Sequence, residues 1–317
     1  MKEIAILTGG DSAEYNISLL SANTVLEHLN CTKYRGTIVH LKNGIYTVGK
    51  QAINTSNFSY VKNNQTIKFD KIFIALHGPP AENGLIQDYF DKIDLPYTSC
   101  NSKVSSLTFD KFKCNNTLKK LKFKCANSIL IHVDKKFSEN NIIKKVGLPC
   151  FVKPNGSGSS YGISKITKTN ELGKAIQKAL LYDKEIIIES FINGIEVSCG
   201  VYIDKKIVKP LPVTEIVSAN EFFDYDAKYN GRSQEITPAR ISDPLTLEIQ
   251  KTSIKIYNKM KLSGICRIDF IIQGNIPYVI EINTIPGLSK NSIIPKQLEA
   301  ANISLSEIFD LCLTNIN

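Results

Sequence analysis

The fold class this chain predicts is α/β, with an open parallel sheet at its N-terminal end and more than one domain. Three observations carry this. Strand-like runs at 2–8 and 71–76 each pass through a glycine-containing loop into a helical pattern, the alternation that builds a parallel sheet with ligands at its strand ends. A chain of 317 residues is long enough for two or three cores. Residues 265–289 alternate polar and apolar side chains on both sides of Gln273-Gly274-Asn275, the pattern of a β-hairpin with one core face.

In order, Lys2–Thr8 reads as a buried strand, and Gly9-Gly10-Asp11-Ser12-Ala13-Glu14 then opens a helix near Ile17. Such a turn can present backbone N–H groups to an anion, though two glycines also serve a tight turn alone. Glu14 either favours the helix N-terminus or points at an amine. After the strand Lys71–Leu76, the loop His77-Gly78-Pro79-Pro80-Ala81-Glu82-Asn83-Gly84 precedes Leu85, Ile86, Tyr89, Phe90 and Ile93 at helical spacing. Leu95–Cys100 reads as the exit from this unit. Helical patterns at 104–121, a strand at 127–131 and a helix at 139–146 follow. A strand ending at Lys153-Pro154 runs into Asn155-Gly156-Ser157-Gly158-Ser159-Ser160-Tyr161-Gly162. That stretch suits phosphate wrapping or an ordinary surface loop, and it lacks the Gly-Lys-Ser/Thr of a P-loop. A helix at 170–181 leads to strands at Glu185–Glu189 and Glu196–Tyr202. Residues 220–240 form an aromatic-rich, aperiodic loop of a length usual for lids. Helices at 244–260 and from Leu305 flank the hairpin.

Within the hairpin, Arg267, Asp269, Glu281 and Asn283 all occupy odd positions. A turn of odd length sets 267 opposite 281 and aims all four from one face. Two carboxylates and an amide oxygen then converge beside a guanidinium, a donor set suited to Mg²⁺ held with substrate phosphates. A solvated charged face is the other reading of the same alternation.

Composition narrows the function classes. With 43% hydrophobic and 22% charged residues the chain is globular, not disordered. Its net charge is +9, but Arg35, Arg232, Arg240 and Arg267 are the only arginines among 39 basic residues. Base-edge readers depend on arginine forks within a recognisable motif, so the charge reads as a lysine-rich solvated surface with no nucleic-acid partner. The eight cysteines show no C-x-x-C and no zinc-like spacing, as in a reduced cytoplasmic protein. No apolar run approaches the roughly 20 residues of a membrane span, so no membrane association is expected.

Taken in order, the motifs resemble those of the D-alanine–D-alanine ligases of the ATP-grasp superfamily. They are Gly9-Gly10-Asp11-Ser12-Ala13-Glu14; His77-Gly78 with Glu82 and Gly84; Phe109-Asp110-Lys111; Val152-Lys153-Pro154 with Gly158-Ser159-Ser160; Asp224-Tyr225-Asp226-Ala227-Lys228-Tyr229; Arg267-Ile268-Asp269; and Glu281-Ile282-Asn283-Thr284-Ile285-Pro286-Gly287. The similarity spans essentially the whole chain. It implies a three-domain ATP-grasp architecture: an N-terminal α/β substrate-binding domain over 1–100, a central ATP-grasp domain over 101–190 and a C-terminal catalytic domain over 191–317. The implied activity is ATP-dependent ligation of two D-alanines through an acyl phosphate, for peptidoglycan precursors. ATP and Mg²⁺ or Mn²⁺ are the implied cofactors, and a homodimer the implied assembly.

Carried over residue by residue, the resemblance implies that Glu14 binds the first substrate's ammonium, supported by His77. Lys111 and Lys153 neutralise phosphate charge, with Ser159 and Ser160 closing over the phosphates. Glu189 and Glu196 hold adenosine with the backbone of Ser190, Phe191 and Ile192. Asp269, Glu281 and Asn283 ligate the metal. Arg267 and the Gly287 N–H receive the tetrahedral oxyanion, and Ser292 with Ile293 receives the second substrate's carboxylate. Lys228 and Tyr229 belong to the lid, and Ser159 and Tyr229 join Glu14, Arg267 and Gly287 as catalytic. The sequence departs from the family pattern at Ala81 and Asn83, where the family has Gly and Asp, and at Lys290-Asn291, beside the second-substrate pocket. Other readings are a D-alanine–D-lactate or D-alanine–D-serine ligase, or an inactive nucleotide-binding relative. Tyr229 argues against the lactate form, whose members generally lack a tyrosine there.

Overall fold

The computed structural model describes residues 1–134, 137–156, 158, 161–218 and 233–316. The first sheet has the order β4-β3-β2-β1-β7, from β1 (Lys2–Gly9), β2 (Tyr34–Lys42), β3 (Ile45–Val48), β4 (Gln51–Ala52) and β7 (Lys71–Ile74). Only β2, β1 and β7 run parallel. The strands β3 and β4 return antiparallel, because Asn43-Gly44 (φ 49° and 75°) closes a two-residue turn between Lys42 and Ile45. A separate hairpin pairs β5 (Ser59–Lys62) with β6 (Gln65–Lys68). Helix α1 (Tyr15–His28) follows β1, and α2 (Leu85–Lys92) follows the loop after β7.

The helical pattern at 104–121 is two helices, α3 (Ser102–Phe109) and α4 (Lys111–Lys120). Asp110 breaks it, adopting an extended conformation and accepting from the Lys113 N–H as the N-cap of α4. The second sheet is antiparallel, in the order β10-β9-β11-β8: Ser164–Ile166, Cys150–Pro154, Glu185–Ser190 and Ser128–His132. Helices α5 (Glu139–Val146) and α6 (Leu172–Ala179) pack on it through Ile142, Val146, Leu172 and Ile176.

The third sheet has the order β15-β14-β12-β16-β17: Ser233–Ile236, Thr214–Ser218, Ile195–Asp204, Cys266–Gln273 and Ile276–Asn283, with β13 (Ile207–Pro210) also on β12. Its core is shared with α7 (Asp243–Lys259) and with Val104, Cys114 and Leu118 of α3 and α4. Helices α8 (Ile293–Ala300) and α9 (Leu305–Thr314) turn back toward the first sheet. There Ile308 and Phe309 of α9 join Ile4, Ile6 and Phe73 in one core.

The hairpin corrects the expected register. Gln273 pairs with Ile276, so the turn is the two-residue Gly274-Asn275 rather than one of odd length. An uninterrupted ladder from that turn would leave Asp269 facing Ile280. Instead the register shifts between Asp269 and Phe270, where Phe270 pairs with Val279 and Asp269 with Glu281. Ile280 is the extra residue of a β-bulge. Arg267 therefore stands opposite Asn283, not 281. The four polar residues do share a face, by way of the bulge and not of the turn.

Candidate active site

Glu14 reaches the cleft from the N-cap position of α1. A Cβ built on Gly78 would lie 2.9 Å from its Oε2, and one on Gly158 would also lie 2.9 Å from it. Two glycines, from the loops after β7 and after β9, thus admit one carboxylate, and Gly78 also needs its φ of +71°. Glu82 lies among Glu14, Glu281 and Lys111. Burial, then Glu14, pushes its carboxyl up to about 8.

His77 is buried, and both ring nitrogens are engaged. Its Nδ1 contacts Ile285 O at 2.9 Å and its Nε2 contacts Ser21 Oγ at 2.8 Å. A carbonyl only accepts, so Nδ1 carries the hydrogen and Ser21 donates to Nε2. Ser21 Oγ in turn accepts from the Leu288 N–H at 3.2 Å. Burial lowers the His77 pKa, against Glu14 and the Ile285 bond. Ile285 and Leu288 flank Pro286-Gly287, so α1 and the His77 loop grip that segment from both ends. Ala81 is fully buried, its carbonyl accepting from Gln87 Nε2 at 2.8 Å, and Asn83 Oδ1 accepts from the Leu85 N–H. The loop thus accommodates both departures from the family pattern.

Between β9 and β11, Lys153 Nζ is ion-paired with Glu189 Oε2, and both side chains are nearly buried. Lys111 begins α4, and that helix start is tied to the loop after β9. Phe112 N–H donates to Asn155 Oδ1 at 2.9 Å, and Asn155 Nδ2 donates to Asp110 Oδ1 at 2.9 Å. The N–H groups of Ser190 and Phe191 donate to Asn127 O and Pro149 O and so tie this segment to the neighbouring chain. Glu196 sits on β12 beside Ile271 of β16.

On the bulged face, Arg267 forks onto Asp269, Nε to Oδ1 at 2.8 Å and Nη2 to Oδ2 at 2.7 Å, with Glu281 Oε1 at 3.9 Å. Burial opposes the guanidinium charge, but Asp269 and then Glu281 outweigh it and raise the pKa. Ser198 Oγ donates to Asp269, and Asn283 Oδ1 accepts from the Ile285 N–H. Among the described residues no three His, Cys, Asp or Glu gather to hold a metal. The set reaches three donors only through the Asn283 amide. Two carboxylates and an amide oxygen still fit a hard divalent ion that takes its remaining ligands from phosphates and water.

Gly287 lies against the start of α8, where a Cβ would sit 2.7 Å from Ser292 Oγ. Ser292 is the N-cap residue but its side chain makes no cap bond, contacting Ser289 Oγ at 2.8 Å instead. Ser292 and Ile293 therefore stand where a helix N-terminus favours a carboxylate. Lys290 and Asn291 are exposed. Ser159, Ser160, Lys228 and Tyr229 lie outside the described residues. Ser21 and Ser198 carry no local signal in the sequence, because they bond residues distant in the chain.

Two family models match the chain, "D-ala D-ala ligase N-terminus" over residues 3–100 and "D-ala D-ala ligase C-terminus" over 116–314. A D-alanine–D-alanine ligase of Flavobacterium johnsoniae is 49% identical over 314 residues, covering 98% of this chain and 97% of its own. Among solved structures, the VanG D-Ala:D-Ser ligase from Enterococcus faecalis aligns with a TM-score of 0.85 at 28% identity, covering 99% of this chain and 98% of its own. The Bacillus anthracis D-alanine–D-alanine ligase complexed with ATP aligns with a TM-score of 0.81 at 25% identity, covering 99% and 97%. With these matches running nearly end to end, the chain belongs to the D-alanine–D-alanine ligase family.

Proposed function

We propose that this protein joins two D-alanines into D-alanyl-D-alanine, converting ATP to ADP and phosphate, as a step in peptidoglycan precursor synthesis. The observation that carries the reading is the position of Glu14, an amine-binding carboxylate set against both Gly78 and the loop glycine Gly158. On this reading the first D-alanine rests its ammonium on Glu14, and its carboxylate oxygen attacks the γ-phosphorus. The bond from that phosphorus to the β,γ-bridging oxygen breaks, ADP leaves with the electron pair, and an acyl phosphate forms. Lys111 and Lys153 offset phosphate charge, and Ser159 and Ser160 cover it. Glu189, Glu196 and the Ser190–Ile192 segment hold adenosine.

The second D-alanine places its carboxylate on Ser292 and the N-terminus of α8 beside Ile293. Its amine, having lost a proton, attacks the acyl carbon, and the C–O bond to phosphate then breaks. Arg267 and the Gly287 N–H face the tetrahedral oxygen, each such donor worth about 3–4 kcal/mol of transition-state stabilisation. His77 contributes by holding the Gly287 segment. Lys228 and Tyr229 serve as the lid that keeps water from the acyl phosphate. Asp269, Glu281 and Asn283 would hold Mg²⁺ or Mn²⁺, which when bound offsets negative charge on the phosphates.

The three sheets are proposed as the cores of domains over 1–100, 101–190 and 191–317, in a cytoplasmic homodimer that binds neither nucleic acid nor membrane. Phosphate release measured with ATP, Mg²⁺ and D-alanine alone tests the activity. Equal or faster turnover with D-lactate or D-serine as second substrate would overturn the D-alanine assignment.

A further inference from the structure

Glu235 and Lys296 form an ion pair at 2.8 Å between the edge strand β15 and α8, with side chains 16% and 37% exposed. In register, Glu235 lies opposite Ile216 of β14, Ile216 opposite Glu196 of β12, and Glu196 opposite Ile271 of β16. Residues paired across a sheet point to one face, and alternate residues along a strand share it. Glu235 therefore lies on the face that carries Arg267 and Asp269. Burial opposes the Arg267 charge, and Glu235 follows Asp269 and Glu281 among the carboxylates that raise its pKa. Lys296 stands one turn beyond Ser292, its N–H donating to the Ser292 carbonyl at 3.4 Å. The pair thus joins the Arg267 face to the turn that carries Ser292. Beside Lys296, the fully buried Gln297 secures the same helix without charge. Its Nε2 donates to Ser198 O at 2.9 Å and to Thr214 Oγ1 at 3.0 Å, and its Oε1 accepts from the Gly200 N–H at 3.0 Å.

We propose that Glu235 and Lys296 are positioning residues for the second substrate. Their ion pair fixes the first turn of α8 at the angle where Ser292 and Ile293 receive the carboxylate while the amine meets the acyl carbon beside Arg267. The inference rests on the assignment of Ser292 and Ile293 to the second-substrate site. Consecutive residues point about 100° apart around a helix. Gln297 holds α8 down on β12 and β14, and Lys296, directed elsewhere around the axis, stops the helix turning about that anchor. A partly buried pair is screened less by salt than an exposed one, so the restraint persists in physiological buffer.

The test is initial-rate kinetics with ATP and a D-alanine series, resolved into separate constants for the two D-alanines. The proteins are wild type, Glu235→Gln, Lys296→Met, the double variant, Lys296→Arg and Ser292→Ala. Each single loss of charge should raise KM for the second D-alanine about fivefold, the scale of one partly buried ion pair. KM for ATP and for the first D-alanine should stay unchanged. The double variant should be no worse than either single one, because the same bond is lost once, and Lys296→Arg should stay near wild type. A pair that served stability alone would lower the thermal midpoint and leave all three KM values in place, which overturns the inference. Losses that add in the double variant overturn it too. If KM for the second D-alanine rises in Ser292→Ala but in neither single variant of the pair, the inference falls and the subsite stands. Unchanged KM for the second D-alanine in Ser292→Ala would instead overturn the subsite assignment and the inference with it.

Discussion

Asp269 stands directly across the β16–β17 hairpin from Glu281, although the turn between them has an even number of residues. The bulge at Ile280 makes the pairing, gathering two carboxylates and the Asn283 amide beside Arg267 on one face. Glu281→Gln removes one charge from this set with little change in shape. Turnover supported by Mg²⁺ should fall roughly 100-fold or more, with the thermal midpoint within a few degrees of wild type. Phosphate release against Mg²⁺ concentration measures this, and near-normal activity in the variant would refute the metal assignment.

Gly158→Ala places a methyl 2.9 Å from Glu14 Oε2, a contact relieved by displacing that carboxylate. KM for the first D-alanine should rise about tenfold, the scale of one weakened charge-assisted hydrogen bond. Thermal stability should hardly change, because Gly158 is half-buried and lies outside the cores. Initial rates over a D-alanine series, resolved into two substrate constants, distinguish this from a general loss of activity.

Ser21→Ala leaves both the Leu288 N–H and His77 Nε2 without their partner in a buried site. A loss of about 1–3 kcal/mol in stability is expected, together with a drop in kcat as the Gly287 segment loosens. Ser21→Thr keeps the hydroxyl and should recover much of kcat. Denaturant melts and kcat for the two variants test the pair of effects. Equal kcat in Ser21→Ala and wild type would detach the clamp from catalysis.

Glu82 offers a pH test with a definite sign. Its folded pKa of about 8 lies above the ordinary 4.5, so the native state keeps a proton that the unfolded chain has released. The associated stability is complete below pH 4.5, declines as pH rises toward 8, and is absent above it. The isosteric Glu82→Gln has no such proton. Wild type should therefore lose stability relative to this variant by a few kcal/mol across that window. Melting both proteins without nucleotide or metal at several pH values from 4.5 to 8.5 reads the difference directly, and a pH-independent gap would rule the shift out.

How much was legible follows from where the information sits. Loops carrying Glu14, His77 and Lys153 could be read, because glycines next to a strand end are local signals. Asn43-Gly44 and the strands it joins were equally readable and were not identified. The turn Lys205-Lys206, between β12 and β13, could not be: two lysines at φ 47° and 71° carry no turn signature, and the paired strands impose the conformation. Helix α8 was hidden by Pro295, which reads as a breaker but sits in the first turn, where a missing N–H costs no helical bond. Ile280 looks like any apolar strand residue, and nothing in its neighbouring sequence marks the bulge. The His77–Ile285 and Asn115–Glu189 bonds join residues 208 and 74 positions apart, beyond any local pattern.

Helix α9 has a consequence for how the chain is made. Phe309 packs edge-on against Phe73 at 5.2 Å between ring centroids, Asp310 bonds Tyr34 and Lys33, and Lys71 Nζ donates to the Leu313 carbonyl. One face of the first sheet is therefore roofed by a helix translated long after the strands it covers. Until then Ile4, Ile6 and Phe73 lack part of their cover, and the first sheet is a surface for chaperones before it is a finished core.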